Sequence, residues 1–286
     1  MKFITLNTHS LIEENYETKL HHFVDVIAKE KPHVFALQEV NQSIDKRIVD
    51  KNNCYGYVDD FEVNIKIRED NHALNVSKML SEIGLKYEWT FVPIKLGYDK
   101  YEEGLAIFSM SPIKEIKQFY VSDITDYTNW KSRKMLGIKT VDYEDTWFFS
   151  AHFGWWDDED EPFVRQWDTA NSIIKDIVGN DTCFIMGDFN SPAKIRNQGY
   201  DYVKKSGWND TWEMAEFKDS GLTVGHVIDG WHDRINDESD KALGMRLDYV
   251  WCNKEIKVLS NRVIFNGNNY NVVSDHYGVI VEIECY

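Results

Sequence analysis

Ten short apolar runs, each stopped by a polar residue or a glycine, recur from one end of this chain to the other and restrict it to a sheet-rich fold. They are Phe3–Leu6, Val34–Gln38, Glu88–Pro93, Leu105–Ser109, Ile113–Tyr120, Lys134–Val141, Thr146–His152, Cys183–Gly187, Arg246–Cys252 and Val279–Glu284. Three intervening segments carry the helical period instead. Glu17–Glu30 places Leu20, Phe23, Val24 and Ile27 on one face, Ala73–Ile83 repeats Leu74, Met79 and Leu80, and Pro162–Val178 carries Phe163, Trp167, Ala170 and Ile174. Helices follow the first and second strands, and several strand-to-strand steps come later, so the order predicts a two-sheet α/β sandwich in one domain over 1–286. Two halves, Met1 to about Asp142 and Tyr143 to Tyr286, each open with a helix-bearing unit and close on strands.

A chain of 286 residues buries about three quarters of its unfolded surface, enough for a large core without disulfides. Cys54, Cys183, Cys252 and Cys285 lie far apart, which argues against a zinc site and for reduced thiols in the cytoplasm. Met1–Asn7 reads as a strand rather than a signal peptide, and no run approaches the ~18 apolar residues of a membrane span. The expectation is a soluble cytoplasmic protein with no membrane association and no obligate protein partner. Its net charge of −16 bears on the substrate. Binding a polyanionic backbone normally takes a basic stripe, yet Lys and Arg are scattered and Asp157–Glu161 is a solid acidic run. This balance favours a small phosphorylated substrate over nucleic acid.

The chemistry-bearing residues stand at strand ends. Glu39 follows Phe35-Ala36-Leu37-Gln38, so its carboxylate emerges at the carboxyl end of a buried strand. Magnesium takes one or two carboxylates and keeps several waters, so Glu39, Asp275 and the amide of Asn7 make an adequate ligand set. In Phe184-Ile185-Met186-Gly187-Asp188-Phe189-Asn190 a buried strand ends at a glycine and presents Asp188 and Asn190 on one side, with Phe189 inward. An ionised Asp orients water, while an Asn amide donates to an oxygen gaining charge. His152 and His276 compete for the proton work, and Asp248 is a candidate orienter for His276. His9, His21, His22 and His33 are expected to be satisfied core histidines.

Taken in order, Asn7, Gln38-Glu39, Glu103–Ser109, Ser150-Ala151-His152, Gly187-Asp188-Phe189-Asn190, Arg246–Val250 and Ser274-Asp275-His276 resemble the motif series of the endonuclease/exonuclease/phosphatase superfamily, the DNase I-like fold. The likeness runs from residue 3 to about 284. It implies a four-layered α/β sandwich, two packed mixed sheets flanked by helices, and Mg²⁺-dependent phosphoester hydrolysis, with Mn²⁺ as the other candidate ion. By the same resemblance Glu39 would be the principal metal ligand with Asn7 and Asp275 nearby, and Asp188 would align the attacking water. Asn190 and His152 would stabilise the transition state, and His276, held by Asp248, would be the acid/base group. Glu103 would orient His152.

The superfamily includes nucleases and phosphatases, so its fold does not name a substrate. Here His152 is followed by Phe153-Gly154-Trp155-Trp156-Asp157-Asp158, and indole faces beside carboxylates suit a sugar ring. This element and the opening Leu6-Asn7-Thr8-His9-Ser10 are similar to the maltose 6'-phosphate phosphatase branch of Gram-positive bacteria. Trp155, Trp156, Asp157 and Arg133 are therefore the expected substrate-binding residues, and a small phosphorylated sugar the expected partner. A DNA nuclease is the alternative, and a catalytically inactive binding module the third. Lys134, Lys194 and Arg196 are further candidate phosphate binders. Glu213, Asp229, His232 and Asp233, in the 208–245 insertion, are candidates for a pocket floor.

Overall fold

In a computed structural model, which describes residues 1–60, 63–225, 228, 231 and 244–284, the strands form two mixed sheets. The first sheet contains β1 (Lys2–Asn7), β2 (Val34–Ser43), β3 (Glu88–Gly97), β4 (Tyr101–Ser109), β10 (Phe217–Lys218), β12 (Val258–Ile264) and β13 (Gly278–Ile283), in the order β10-β12-β13-β1-β2-β4-β3. The second contains β5 (Ile113–Tyr120), β6 (Lys134–Thr140), β7 (Thr146–His152), β8 (Thr182–Asp188), β9 (Asn209–Asp210) and β11 (Asp248–Cys252), in the order β5-β6-β7-β8-β11-β9. Helices α1 (Tyr16–Glu30) and α2 (His72–Glu82) cover the outer face of the first sheet, and α3 (Phe163–Val178) and α4 (Gly199–Lys205) that of the second. This is the four-layered α/β sandwich of the DNase I-like fold.

The period of two along each central strand explains the layering. In β1 and β2, Phe3, Val34 and Ala36 face the second sheet and meet Phe148, Phe184 and Met186, while Ile4, Leu6, Phe35 and Leu37 face α1 and α2. Both faces of these strands are dry, so the runs read as continuously apolar. Each buried Leu or Phe contributes about 1.5–3 kcal/mol, and a polar residue on either face would forfeit that. The helices supply matching stripes: Leu20, Phe23, Val24 and Ile27 on α1, and Phe163, Trp167, Ala170 and Ile174 on α3. α1 stops where Lys31 turns left-handed, its N–H donating to Ile27 O at 2.8 Å, with Pro32 next. α2 starts where the Asn71 side chain accepts from Leu74 N at 3.0 Å, and α3 ends at Gly179 with φ +56°.

Two βαβ units set the functional edge. β1–α1–β2 and β7–α3–β8 each join neighbouring parallel strands, so the carboxyl ends of β1, β2, β7 and β8 emerge along one edge of the sandwich. β11 runs antiparallel to β8 with Asp248 opposite Asp188, and His152 stands opposite Asp188 on the other side. β13 runs antiparallel to β1 with Val279 opposite Thr5, which brings the preceding Asp275 and His276 to the same edge. Residues scattered through the sequence are thereby collected in one row.

Besides the two-residue strands β9 and β10 and a short helix over Thr211–Met214, which no run of the sequence announced, three departures bear on the core. β12 was not expected, because Ser260, Asn261 and Arg262 interrupt its apolar pattern; Asn261 is nonetheless buried, with Nδ2 donating to Thr211 Oγ1 at 2.9 Å. α4, a short Gly-Tyr-Asp-Tyr-Val-Lys-Lys segment, carries no repeating aliphatic stripe. The expected strand Arg246–Cys252 begins only at Asp248, since Arg246 turns its guanidinium onto Asp210 at 2.6 Å and over the Trp212 ring at 4.7 Å.

Candidate functional site

At that edge lies a cleft of about 360 Å³, floored by Glu39, Asp188, Asn190, His152, Asp275 and His276. Two local distortions aim the acidic groups. β2 bulges between Leu37 and Val40, and Glu39, inside the bulge, has φ +50°; the extra residue turns its side chain out of the ladder and into the cleft. At the end of β8, Gly187 has φ +146°, and a Cβ there would lie 2.0 Å from Ala151 O. Only glycine lets β7 and β8 stay paired while the chain turns to present Asp188 and then Asn190, itself at φ +44°.

Hydrogen bonds tie these groups together. Asn7 Nδ2 donates to Glu39 Oε1 at 2.8 Å and to Asp188 Oδ2 at 3.2 Å, bridging the two sheets. Asp188 Oδ1 accepts from Asn190 N at 2.8 Å, and its Oδ2 lies 3.6 Å from His152 Nε2 and 3.7 Å from His276 Nε2. Asn190 is fixed on both ends: Oδ1 accepts from Trp231 Nε1 at 3.0 Å, while Nδ2 donates to Phe153 O at 3.0 Å and faces His152 Nε2 at 3.3 Å. His276 Nδ1 meets Asp248 Oδ2 at 2.9 Å, and the Asp248 backbone N–H donates to Thr223 Oγ1 at 3.2 Å.

Burial and neighbouring charge set the protonation states. Burial pushes the Asp188 carboxyl up to about 7, with Asp248 pushing the same way against the opposing pull of His276. Burial works against a charged His276, but the carboxylates of Asp248 and Asp188 outweigh it and hold the imidazole well above its ordinary range. His152 goes the other way: burial, then Arg133 and Lys95, hold it well below, so it is neutral and its Nε2 can accept from Asn190. Two histidines on either side of one carboxylate therefore carry different charges. The separation matches a division between proton transfer and neutral polarisation.

The cleft also gathers acidic groups that fit a hard cation. Burial raises the Glu39 carboxyl, and Glu103 and Asp275 add to that rise against the opposing pull of His9 and the Asn7 hydrogen bond. Ligand atoms of His9, Glu13 and Asp275 lie within 4.8 Å of one another, as do those of Asp188, Asp248 and His276. Clustered carboxylate oxygens are the donors that Mg²⁺ or Mn²⁺ takes. Asn7 is turned with its amide nitrogen toward Glu39 and its Oδ1 toward His9 N at 3.3 Å.

Other expected residues are distributed differently. Trp155 and Arg133 line the cleft, but Trp156 packs on Phe163 and Tyr202, and Asp157 is exposed on the surface outside it. The loop's buried carboxylates are Asp158 and Glu161 instead; Asp158 holds Lys131 Nζ at 2.8 Å and accepts from Glu161 N. Glu103 lines the cleft with Oε1 3.0 Å from Lys95 Nζ, and makes no hydrogen bond to His152. Lys134 sits over the Tyr120 ring, Lys194 is exposed, Arg196 pairs with Asp201, and Glu213 bonds Tyr200; none lines the cleft. Asp229, His232 and Asp233 lie outside the described residues.

Sequence reasoning missed His9, Lys95, Tyr98 and Trp130, all of which line the cleft. His9 is no core histidine: its Nδ1 lies 2.8 Å from Glu13 Oε1 and 3.9 Å from Asp275 Oδ1. Its position two residues past the end of β1 was the available signal. His21 is exposed on α1, and His22 and His33 are only half-buried. Lys95 could have been found only through its register opposite Glu103, and Trp130 follows no strand pattern at all.

Comparison with known proteins agrees with this geometry. The family profile described as "Endonuclease/Exonuclease/phosphatase family" matches residues 4–276. No curated protein sequence matches the chain. Among solved structures, an endonuclease/exonuclease/phosphatase family protein from Leptotrichia buccalis C-1013-b is 31% identical, with all of both chains covered and a TM-score of 0.85. A mannosyl-6-phosphatase from Bacteroides thetaiotaomicron VPI-5482 is 17% identical over all of both chains at a TM-score of 0.67. A 3' phosphatase from Neisseria bound to product DNA hairpin is 14% identical over all of both chains at 0.60. The collected strand-end residues, the sandwich that collects them and the profile match over nearly the whole length agree: this chain belongs to the endonuclease/exonuclease/phosphatase family, whose members are metal-dependent hydrolases that include phosphatases and nucleases.

Proposed function

We propose that this protein is a phosphomonoesterase that removes phosphate from a small phosphorylated sugar, a disaccharide phosphate of the maltose 6'-phosphate kind being the leading candidate. The observation that carries this reading is the make-up of the cleft: a floor of Asp188, His152, Asn190 and His276 passes directly into a rim of Trp130, Trp155 and Tyr98. The Trp130 and Trp155 rings meet edge to face at 5.8 Å, and Trp130 is 49% exposed. Such a rim offers ring faces to a pyranose, and about 360 Å³ is the size of a small-ligand pocket rather than a strand-long groove. The mannosyl-6-phosphatase among the structural neighbours acts on a related class, which supports the choice.

In this reading Asp188 orients the attacking water and takes its proton as the water oxygen bonds to phosphorus. The bond between phosphorus and the sugar oxygen breaks, and a proton passes to the departing alkoxide from His276, which Asp248 holds in one orientation through Nδ1. The Asn190 amide faces the phosphoryl oxygens that gain charge, and neutral His152, whose Nε2 accepts from that amide, holds it in place. Glu39 and Asp275 would hold Mg²⁺ or Mn²⁺, with Asn7 beside them; the bound ion would neutralise phosphoryl charge and polarise the P–O bonds.

Trp130 tests the sugar assignment without disturbing the core, because it is half exposed. Trp130→Ala is expected to raise KM for the sugar phosphate by about 5- to 10-fold, the worth of one ring contact, and to leave methyl phosphate kinetics unchanged. Equal effects on both substrates would remove the sugar from this rim.

A further inference from the structure

Arg133 is a buried cation whose own protein partners are neutral. It is 3% exposed and lines the cleft, and its Nη1 donates to Trp130 O at 2.7 Å and to Ser132 O at 3.0 Å. Its Nε is buried without any hydrogen-bond partner, and among the described residues no carboxylate forms an ion pair with the guanidinium. With Nη1 committed to backbone, the remaining Nε–Nη2 edge is the fork that takes two oxygens of an anion. Glu103, Glu39, Asp188 and Asp158 act on this charge only across space and none pairs with it directly, so an anion bound in the cleft can take up the open edge. Lys95, 8% exposed, lines the same cleft with Glu103 at 3.0 Å, and the two cations add to burial in holding His152 low.

We infer that Arg133 and Lys95 form a cradle for the dianionic head of a phosphomonoester and make the site select terminal phosphates over phosphodiesters. This rests on the phosphoester-hydrolase reading above but not on the sugar. Above its second pKa of about 6 a phosphomonoester carries two charges and three non-bridging oxygens, whereas a diester carries one charge and two such oxygens. On the floor, Glu39, Asp188, Asn190 and His152 are anionic or neutral and the one cation, His276, is already paired with Asp248, so the Arg133 side is where the extra charge and the third oxygen find an uncommitted donor. A diester would place its second ester group against that charged fork and leave it unpaired.

The metal-loaded enzyme, Arg133→Met, Arg133→Lys and the double variant Lys95→Met/Glu103→Gln are compared at about pH 8, where the monoester is a dianion. Substrates are p-nitrophenyl phosphate and bis(p-nitrophenyl) phosphate, and binding of inorganic phosphate and dimethyl phosphate is measured by calorimetry. The double variant removes both members of the Lys95–Glu103 pair, so it leaves no buried unpaired acid, and Arg133→Lys keeps the charge while losing the fork. The expected result is a monoester kcat/KM about 100-fold lower in Arg133→Met and about 10-fold lower in the other two, with diester rates changed less than about 3-fold and phosphate affinity falling in parallel. Equal losses on both esters, or an unchanged monoester-to-diester ratio with unchanged phosphate binding, would overturn the cradle. Should the wild type show that ratio and yet leave sugar phosphates untouched, the sugar reading fails and the cradle stands.

Discussion

Asp188→Asn is expected to lower kcat by about 1,000-fold while leaving the fold and KM nearly unchanged. The carboxylate sits at the centre of the site, bonded by Asn7 Nδ2 and Asn190 N and 3.6–3.7 Å from the Nε2 atoms of His152 and His276. An amide keeps the Oδ1 acceptor for Asn190 N, so the turn after β8 survives. What it lacks is the negative charge that orients water and supports a protonated His276. Steady-state kinetics with a thermal melt on the same preparation separate the two. Full hydrolysis by this variant would show that another group orients the water.

Glu39→Gln carries the second large effect, and its two consequences run in opposite directions. Divalent-metal affinity, read by calorimetry, is expected to fall by at least about 100-fold, and hydrolysis with it, because the one carboxylate aimed into the cleft by the β2 bulge is lost. In EDTA the same variant is expected to be as stable as the wild type or more so near neutral pH. The sign follows from the raised carboxyl of Glu39, produced by burial, Glu103 and Asp275. A folded pKa above the unfolded one means the group favours folding below the unfolded value, and that contribution disappears as pH rises through the folded value. At neutral pH the charged Glu39 is thus a cost, which glutamine removes while still accepting from Asn7. Undiminished metal binding by Glu39→Gln would place the ion elsewhere.

The strand-end logic was legible because both faces of the central strands are buried, which makes β1, β2, β7 and β8 conspicuous apolar runs whose last residues must surface at one edge. Asn7, Glu39, His152, Asp188 and Asn190 could be read this way, and the site brings them together with His276, which stands just before β13. Residues that reach the cleft from loops or from across a sheet left no such trace. Trp130 comes from a turn before β6 that has no period, and Lys95 enters through an irregularity in β3 between Pro93 and Lys95, whereas Arg133, standing just before the β6 run, could be named. Trp155 and Trp156 are adjacent, and composition alone gave both the same role. The structure separates them, because a backbone turn sends Trp155 to the cleft and Trp156 onto Phe163 and Tyr202. β12 stayed hidden because a satisfied Asn261 occupies a core position that patterning reserves for an apolar residue.

Phosphate release and strand cleavage measured side by side, on one Mg²⁺-loaded preparation, test the central claim most directly. Maltose 6'-phosphate, hexose 6-phosphates, nucleotides, and single- and double-stranded DNA form the panel. A sugar phosphate is expected to turn over with kcat/KM of at least about 10⁴ M⁻¹ s⁻¹ while DNA stays intact. Efficient cleavage of DNA with idle sugar phosphates would contradict the account.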